Sequence, residues 1–164
     1  MAKVILLCGK VASGKTTYAK SLIKKINAVH LSVDEITHVL FGTHGGENHG
    51  EVAARTLDFL LSKSVEIINS GINVVLEWGF IKREKRREVS EFYRNHGIIF
   101  EWHYINTPDD VLFNNLNKRN QEIEEGKSSA HYFDLNFAKQ LWDMFEEPGK
   151  EENNILKTIN LPEY

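Results

Sequence analysis

Short apolar runs alternate with amphipathic stretches along the whole chain. Val4–Cys8 (VILLC) is apolar at every position, as a strand covered on both faces must be. Beyond a glycine-rich turn, Ala19, Leu22, Ile23 and Ile26 recur at helical spacing. A second strand is predicted over Ala28–Val33, ending at Asp34, followed by a short helix, Glu35–Leu40, and the loop FGTHGGENHG. Leu57, Leu60, Leu61, Val65 and Ile68 form the stripe of a longer helix that stops at Asn69-Ser70-Gly71. Ile72–Leu76 reads as the third strand. Lys82–Asn95 reads as a helix carried by Val89, Phe92, Tyr93 and His96 and closed by Gly97. Ile98–Ile105 supplies a fourth strand. Thr107-Pro108-Asp109-Asp110 predicts a helix start, with a capping hydroxyl, proline in the first turn and acids facing the dipole; that helix runs to about Arg119. Residues 120–131 read as a loop. Ala138, Leu141, Trp142 and Phe145 mark a last helix ended by Pro148-Gly149, and Ile155–Ile159 a last strand. Five strands joined mostly by helical crossovers predict an α/β fold, a three-layer α/β/α sandwich around a parallel sheet.

No repeat, low-complexity tract or linker divides the 164 residues, so a single domain over 1–164 is expected. Hydrophobic content of 41% and charged content of 26% suit a globular protein with a real core. The longest apolar run is far short of the ~20 residues of a membrane helix, and no secretory leader is recognisable. The lone Cys8 cannot form an intrachain disulfide and suits a reducing cytoplasm. A net charge of −3 weighs against a nucleic-acid binder that relies on bulk positive charge.

Gly9-Lys10-Val11-Ala12-Ser13-Gly14-Lys15-Thr16 fits G-x-x-x-x-G-K-[ST] without mismatch, and it lies between a predicted buried strand and a predicted helix. The glycines let amide N–H groups curl around an anion, and the following helix offers its N-terminus to the same phosphates. Lys15 brings charge to the β- and γ-phosphates, and the Thr16 hydroxyl is placed for Mg²⁺. Residues Gly9 to Thr16, with the adjoining Thr17, are the expected ATP-binding positions.

Ligands of an open parallel sheet lie outside the carboxyl ends of its strands. Two acids follow strands two and three there, Asp34 and Glu77, placed for the Mg²⁺ shell or for a proton from an attacking hydroxyl. Asp34 also fits a plain helix cap. Lys82, Arg83, Lys85, Arg86 and Arg87 crowd the start of a predicted helix, where cations oppose the dipole. That breach of a local rule favours one or two arginines, Arg83 first, facing a phosphate or an anionic substrate. Arg119 suits either a favourable helix end or a lid arginine over the transferring phosphoryl group. Of seven histidines, His38, His49 and His44 match no zinc spacing; the nearby glycines suggest a mobile loop over the substrate side. Trp78 and Phe80 fit a pocket lining or core packing equally.

Taken together, LLCGKVASGKTT, SVDEI, LFG, NVVLEWGF with its basic run, HYINTPDDVL, KRN and FEEP resemble a known group across nearly the whole chain. The group is the P-loop kinases around zeta-toxin-like, polynucleotide-kinase-like and chloramphenicol-phosphotransferase-like proteins, and within it an AAA-type bacterial branch of small kinases. The resemblance implies a P-loop nucleoside triphosphate hydrolase fold of the nucleotide-kinase kind, with the third strand beside the first. It further implies ATP·Mg²⁺ on the loop, an acceptor side over 35–71 and a lid over about 118–133. It carries Asp34 over as the base and Arg119 as the lid arginine. Two positions depart from the group: Glu77 stands where relatives often have aspartate, and Asn115 stands where many lids carry another arginine.

The expectation is an ATP-dependent phosphotransferase acting on a hydroxyl of a small molecule. Lys15 grips the triphosphate, Thr16 and Glu77 organise Mg²⁺, Asp34 takes the proton, and Arg119 and Arg83 offset charge in flight. A polynucleotide 5′-kinase and a nucleotide-binding ATPase or regulatory module are the alternatives. The string Asn117-Lys118-Arg119-Asn120 lacks the aspartate of a guanine-switch motif. Nothing in the sequence names the acceptor.

Overall fold

Strand β1 (Val4–Cys8) is the centre of the molecule, with every residue at most 1% exposed. The computed structural model of the chain describes residues 1–161. Around β1 lie β2 (Ala28–Ser32), β3 (Asn73–Glu77), β4 (Phe100–Asn106) and β5 (Leu156–Asn160), all parallel, in the order β2-β3-β1-β4-β5. The helices are α1 (Lys15–Ile26), α2 (Val33–Phe41), α3 (His49–Asn69), α4 (Arg83–Asn95), α5 (Asp109–Glu124) and α6 (Leu135–Asp143), with a 3-10 turn over Lys150–Ile155.

The two-faced burial of β1 follows from its alternation. Val4, Leu6 and Cys8 pack with Leu57, Leu60 and Leu61 of α3 and with Val89 and Tyr93 of α4. Ile5 and Leu7 face the other way, onto Ala19, Leu22, Ile23 and Ile26 of α1. Helices on both faces make three layers, as the alternation of runs predicts. Burial pushes the Cys8 thiol up to about 12, against the opposing charges of Arg86 and Lys15, so the cysteine is a packing group. No helix among the described residues is long and apolar enough to cross a membrane.

Several boundaries differ from the sequence expectation, each for a local reason. β2 ends at Ser32, whose hydroxyl accepts from the Glu35 N–H at 3.3 Å and starts α2 one residue before Asp34. β3 begins at Asn73, with Ile72 left 39% exposed outside the ladder, and runs to Glu77, which is still paired with Leu7 and Ser32. β4 and β5 each begin later than predicted, at Phe100 and Leu156. α5 continues to Glu124, so Arg119 lies inside a helix and does not end one. Its N-cap is Pro108; the Thr107 hydroxyl donates elsewhere, to Ser13 O at 2.8 Å.

Candidate active site

The phosphate loop leaves the carboxyl end of β1 in a conformation only its own residues tolerate. Gly14 (φ 92°) and Ala12 (φ 63°) are left-handed, and a side chain at Gly9 would meet Ile105 O and Ser13 Oγ at 2.9 Å. Five successive carbonyls of the loop each accept from a side chain. Lys15 Nζ donates to Gly9 O (3.0 Å) and Lys10 O (2.9 Å). Trp142 of α6 donates to Val11 O (3.0 Å), Asn115 of α5 to Ala12 O (3.0 Å), and Thr107 to Ser13 O. With its carbonyls held this way, the loop is left to present N–H groups to an anion. The buried Ser13 hydroxyl, without a hydrogen-bond partner, is a further donor available to a phosphate. Lys10 also pairs with Asp109 at 2.9 Å.

Sheet register decides what stands beside the loop. Glu77 pairs with Leu7 on one side and Ser32 on the other, so the ends of β1, β3 and β2 lie level. The Glu77 carboxylate is 3% exposed and uses both oxygens. Oε1 accepts from Thr16 Oγ1 at 2.6 Å, and Oε2 lies 2.8 Å from His30 Nε2. Burial would raise its pKa, but the His30 and Thr16 hydrogen bonds and the Lys15 charge outweigh this and hold it below the usual carboxylate range. Burial lowers the Lys15 pKa against the pull of Glu77 and Asp34. It lowers that of Arg119 too, again opposed by Asp34 and Glu77. Lys15 and Arg119 thus each feel the carboxylates of Asp34 and Glu77. Mg²⁺ takes oxygen ligands, and the Thr16 hydroxyl with the Glu77 carboxylate offers that donor set next to the loop.

Arg119 meets the segment that follows α5. Its Nη2 donates to His131 O at 2.6 Å, and its guanidinium lies over the Phe133 ring at 5.2 Å. Arg83, expected to face a phosphate, is engaged by carboxylates. It pairs with Glu151 (3.1 Å) and Glu152 (3.7 Å), and its backbone N–H donates to Glu146 Oε2 at 2.8 Å. Lys82, Arg83 and Arg86 are thus answered by acids from the C-terminal segment, and Lys85 and Arg87 by Glu88 and Glu91 of α4 itself, which offsets the conflict with the helix dipole. Arg86 is the buried member of the run. It makes a two-pronged pair with Glu152 (2.8 and 3.0 Å) and donates to Phe80 O and Glu146 O. Phe80 belongs to the core, its ring 4.9 Å from Trp102, with a strained φ of 46° just past β3.

His30, His131, Asn115 and Trp142 reach the site through tertiary proximity, and no sequence motif marks them as site residues: Trp142 reads only as part of a helical stripe, and Asn115 only as a departure from a lid pattern.

The structure of a predicted kinase from Chloroflexus aurantiacus superposes with TM-score 0.71 at 20% identity, over 97% of this chain and 85% of that one. A gluconokinase from Sinorhizobium meliloti gives 0.63 at 14% identity, over 96% and 82%. The Pnkp1/Rnl/Hen1 RNA repair complex gives 0.69 at 15% identity, over 87% of this chain and 43% of that one. No curated protein matches the chain. These likenesses establish a kinase-like P-loop fold. The chain also matches the AAA domain family across residues 4–136, and with its phosphate loop inside that span it belongs to this family.

Proposed function

We propose that the protein transfers the γ-phosphate of Mg·ATP to a hydroxyl of a small molecule. The observation that carries this reading is a phosphate loop braced at five successive carbonyls, with the Thr16 hydroxyl bonded to the strand-end carboxylate of Glu77 at 2.6 Å beside it. The loop amides, Ser13 and Lys15 hold the phosphates. Thr16 and Glu77 hold Mg²⁺, which supplies positive charge to the phosphate oxygens when bound. Arg119 offsets the charge that develops on the phosphoryl group. Asp34, in the first turn of α2, accepts the proton of the acceptor hydroxyl. The acceptor oxygen bonds to the γ-phosphorus as the bridging P–O bond breaks, with its electron pair left on ADP. Positioning and electrostatics supply the rate.

In a γ-phosphate transfer assay, Asp34→Asn is expected to keep nucleotide affinity within about twofold and lose roughly 10²–10⁴ in kcat. Normal turnover by that variant removes Asp34 from the mechanism.

A further inference from the structure

A second set of polar groups adjoins Asp34 and has no part in holding nucleotide. Asp34, Thr37 and His38 share one face of α2 at i, i+3 and i+4. His131, from the segment between α5 and α6, packs on that face. Its Nε2 is 3.0 Å from Thr37 Oγ1 and its ring 5.5 Å from that of His38. His49, at the start of α3, brings its ring within 4.9 Å of His131. The segment bearing His131 is latched in place: Tyr132 N–H donates to Thr43 O (2.9 Å), Arg119 to His131 O, and Asn120 to Phe133 O (2.7 Å). Three parts of the chain, distant in sequence, thus form a histidine wall beside the proposed base.

Five buried side-chain polar atoms among the described residues have no hydrogen-bond partner, and four gather here: His38 Nε2, His49 Nδ1, Arg119 Nε and Asn120 Oδ1. Native structures keep few such atoms, so a concentration of them marks a place where water or a ligand completes their bonding. A metal ion does not answer, because no group of three His, Cys, Asp or Glu side chains among the described residues could hold one. The charges also limit the ligand. Lys15 and Arg119 are opposed by Asp34 and Glu77, and the triphosphate draws on the same two cations, which leaves neither of them for an anionic acceptor. Imidazoles both donate and accept, the Arg119 Nε–H donates and Asn120 Oδ1 accepts. Hydroxyl groups satisfy all of these.

We infer that the wall of His38, His49 and His131 is the acceptor-recognition site, and that the acceptor is a neutral polyhydroxylated small molecule, a sugar or polyol. This rests on the phosphotransferase reading and specifies its acceptor. One hydroxyl meets Asp34, and its neighbours engage His38, His49, Arg119 and Asn120. His131, already bonded to Thr37, positions the wall.

The test uses the full chain with Mg²⁺ and a non-hydrolysable ATP analogue, in thermal unfolding and calorimetry. Uptake of the Mg·analogue alone is measured first; its absence sinks the phosphotransferase reading itself. Three probe sets then follow at millimolar concentration: neutral sugars and polyols (glucose, ribose, myo-inositol, glycerol), sugar acids (gluconate, glucuronate), and a 5′-hydroxyl oligonucleotide. A neutral probe is expected to raise Tm by about 5 °C and the other two sets to leave it unchanged. A response confined to the acids or the oligonucleotide, or to none of the three sets, overturns the inference while leaving nucleotide uptake intact. His49→Ala is expected to weaken the neutral probe at least tenfold without altering Mg·analogue affinity. Should that variant fail to fold, the ring-nitrogen NMR signals of His38 and His49 in the unaltered chain must move with the neutral probe. Unmoved signals alongside tight binding place the acceptor elsewhere.

Discussion

Glu77 is the side chain on which the geometry of the site converges: it reaches both Thr16 and His30, with one oxygen each. The His30 contact orients the carboxylate and leaves the Thr16-facing oxygen for the proposed Mg²⁺. His30→Ala is therefore expected to reduce the Mg²⁺-dependent part of nucleotide binding by about tenfold, the scale of one charge-assisted hydrogen bond. Binding measured in EDTA should not change. Equal losses with and without Mg²⁺ would show that His30 merely supports the strand. Glu77 itself was legible in the sequence as an acid at a strand end. Its anchor was not, because His30 sits mid-strand at a position that alternation alone assigns to ordinary packing.

Helices α5 and α6 do more than cover the sheet. Asn115 and Trp142 hold two neighbouring loop carbonyls, so the phosphate loop is shaped by elements roughly 100 and 130 residues away from it. Trp142→Phe keeps most of the ring volume and removes only the bond to Val11 O. It is expected to weaken nucleotide binding by about 1 kcal/mol, some fivefold in Kd, with a smaller effect on unfolding by urea. At the other end, α4 is tied to the C-terminal segment through Arg86 and Glu152. Arg86→Ala strands a half-buried carboxylate and should cost about 3–5 kcal/mol in stability, read as a lower urea midpoint and faster proteolysis after residue 146. The basic run was visible in the sequence, but which arginine turns inward was not. That choice depends on acids some 60 residues further along the chain.

Across the whole molecule, the edge strand β5 is fastened by charge as well as by its ladder. Glu101 on β4 binds Lys3, ahead of β1, at 2.8 Å and Lys157 on β5 at 3.0 Å. Burial opposes its ionisation, yet the Lys3 and Lys157 hydrogen bonds prevail and bring its pKa down to about 2 from 4.5. A folded-state pKa below the unfolded one stabilises the fold above pH 4.5, and this contribution is lost as pH falls from there toward 2. Allowing for the solvent around both lysines, Glu101→Gln should cost ~2 kcal/mol at pH 7. It should also flatten the acid limb of the stability curve. Parallel loss in variant and parent between pH 4.5 and 2 would assign acid sensitivity to other carboxylates.

The alternation of apolar runs, the eight-residue loop motif and the two strand-end acids are local facts. By itself the sequence determined the layered parallel sheet, the phosphate loop and the acidic pair, because strand burial, helix periodicity and anion binding by backbone amides depend on near neighbours in the chain. Only the tertiary structure decided which groups hold those parts in place: His30 on Glu77, Asn115 and Trp142 on the loop, Glu152 on Arg86, and the three histidines beside Asp34. These contacts join residues far apart in the chain, and side-chain pairing at that range leaves no periodic trace.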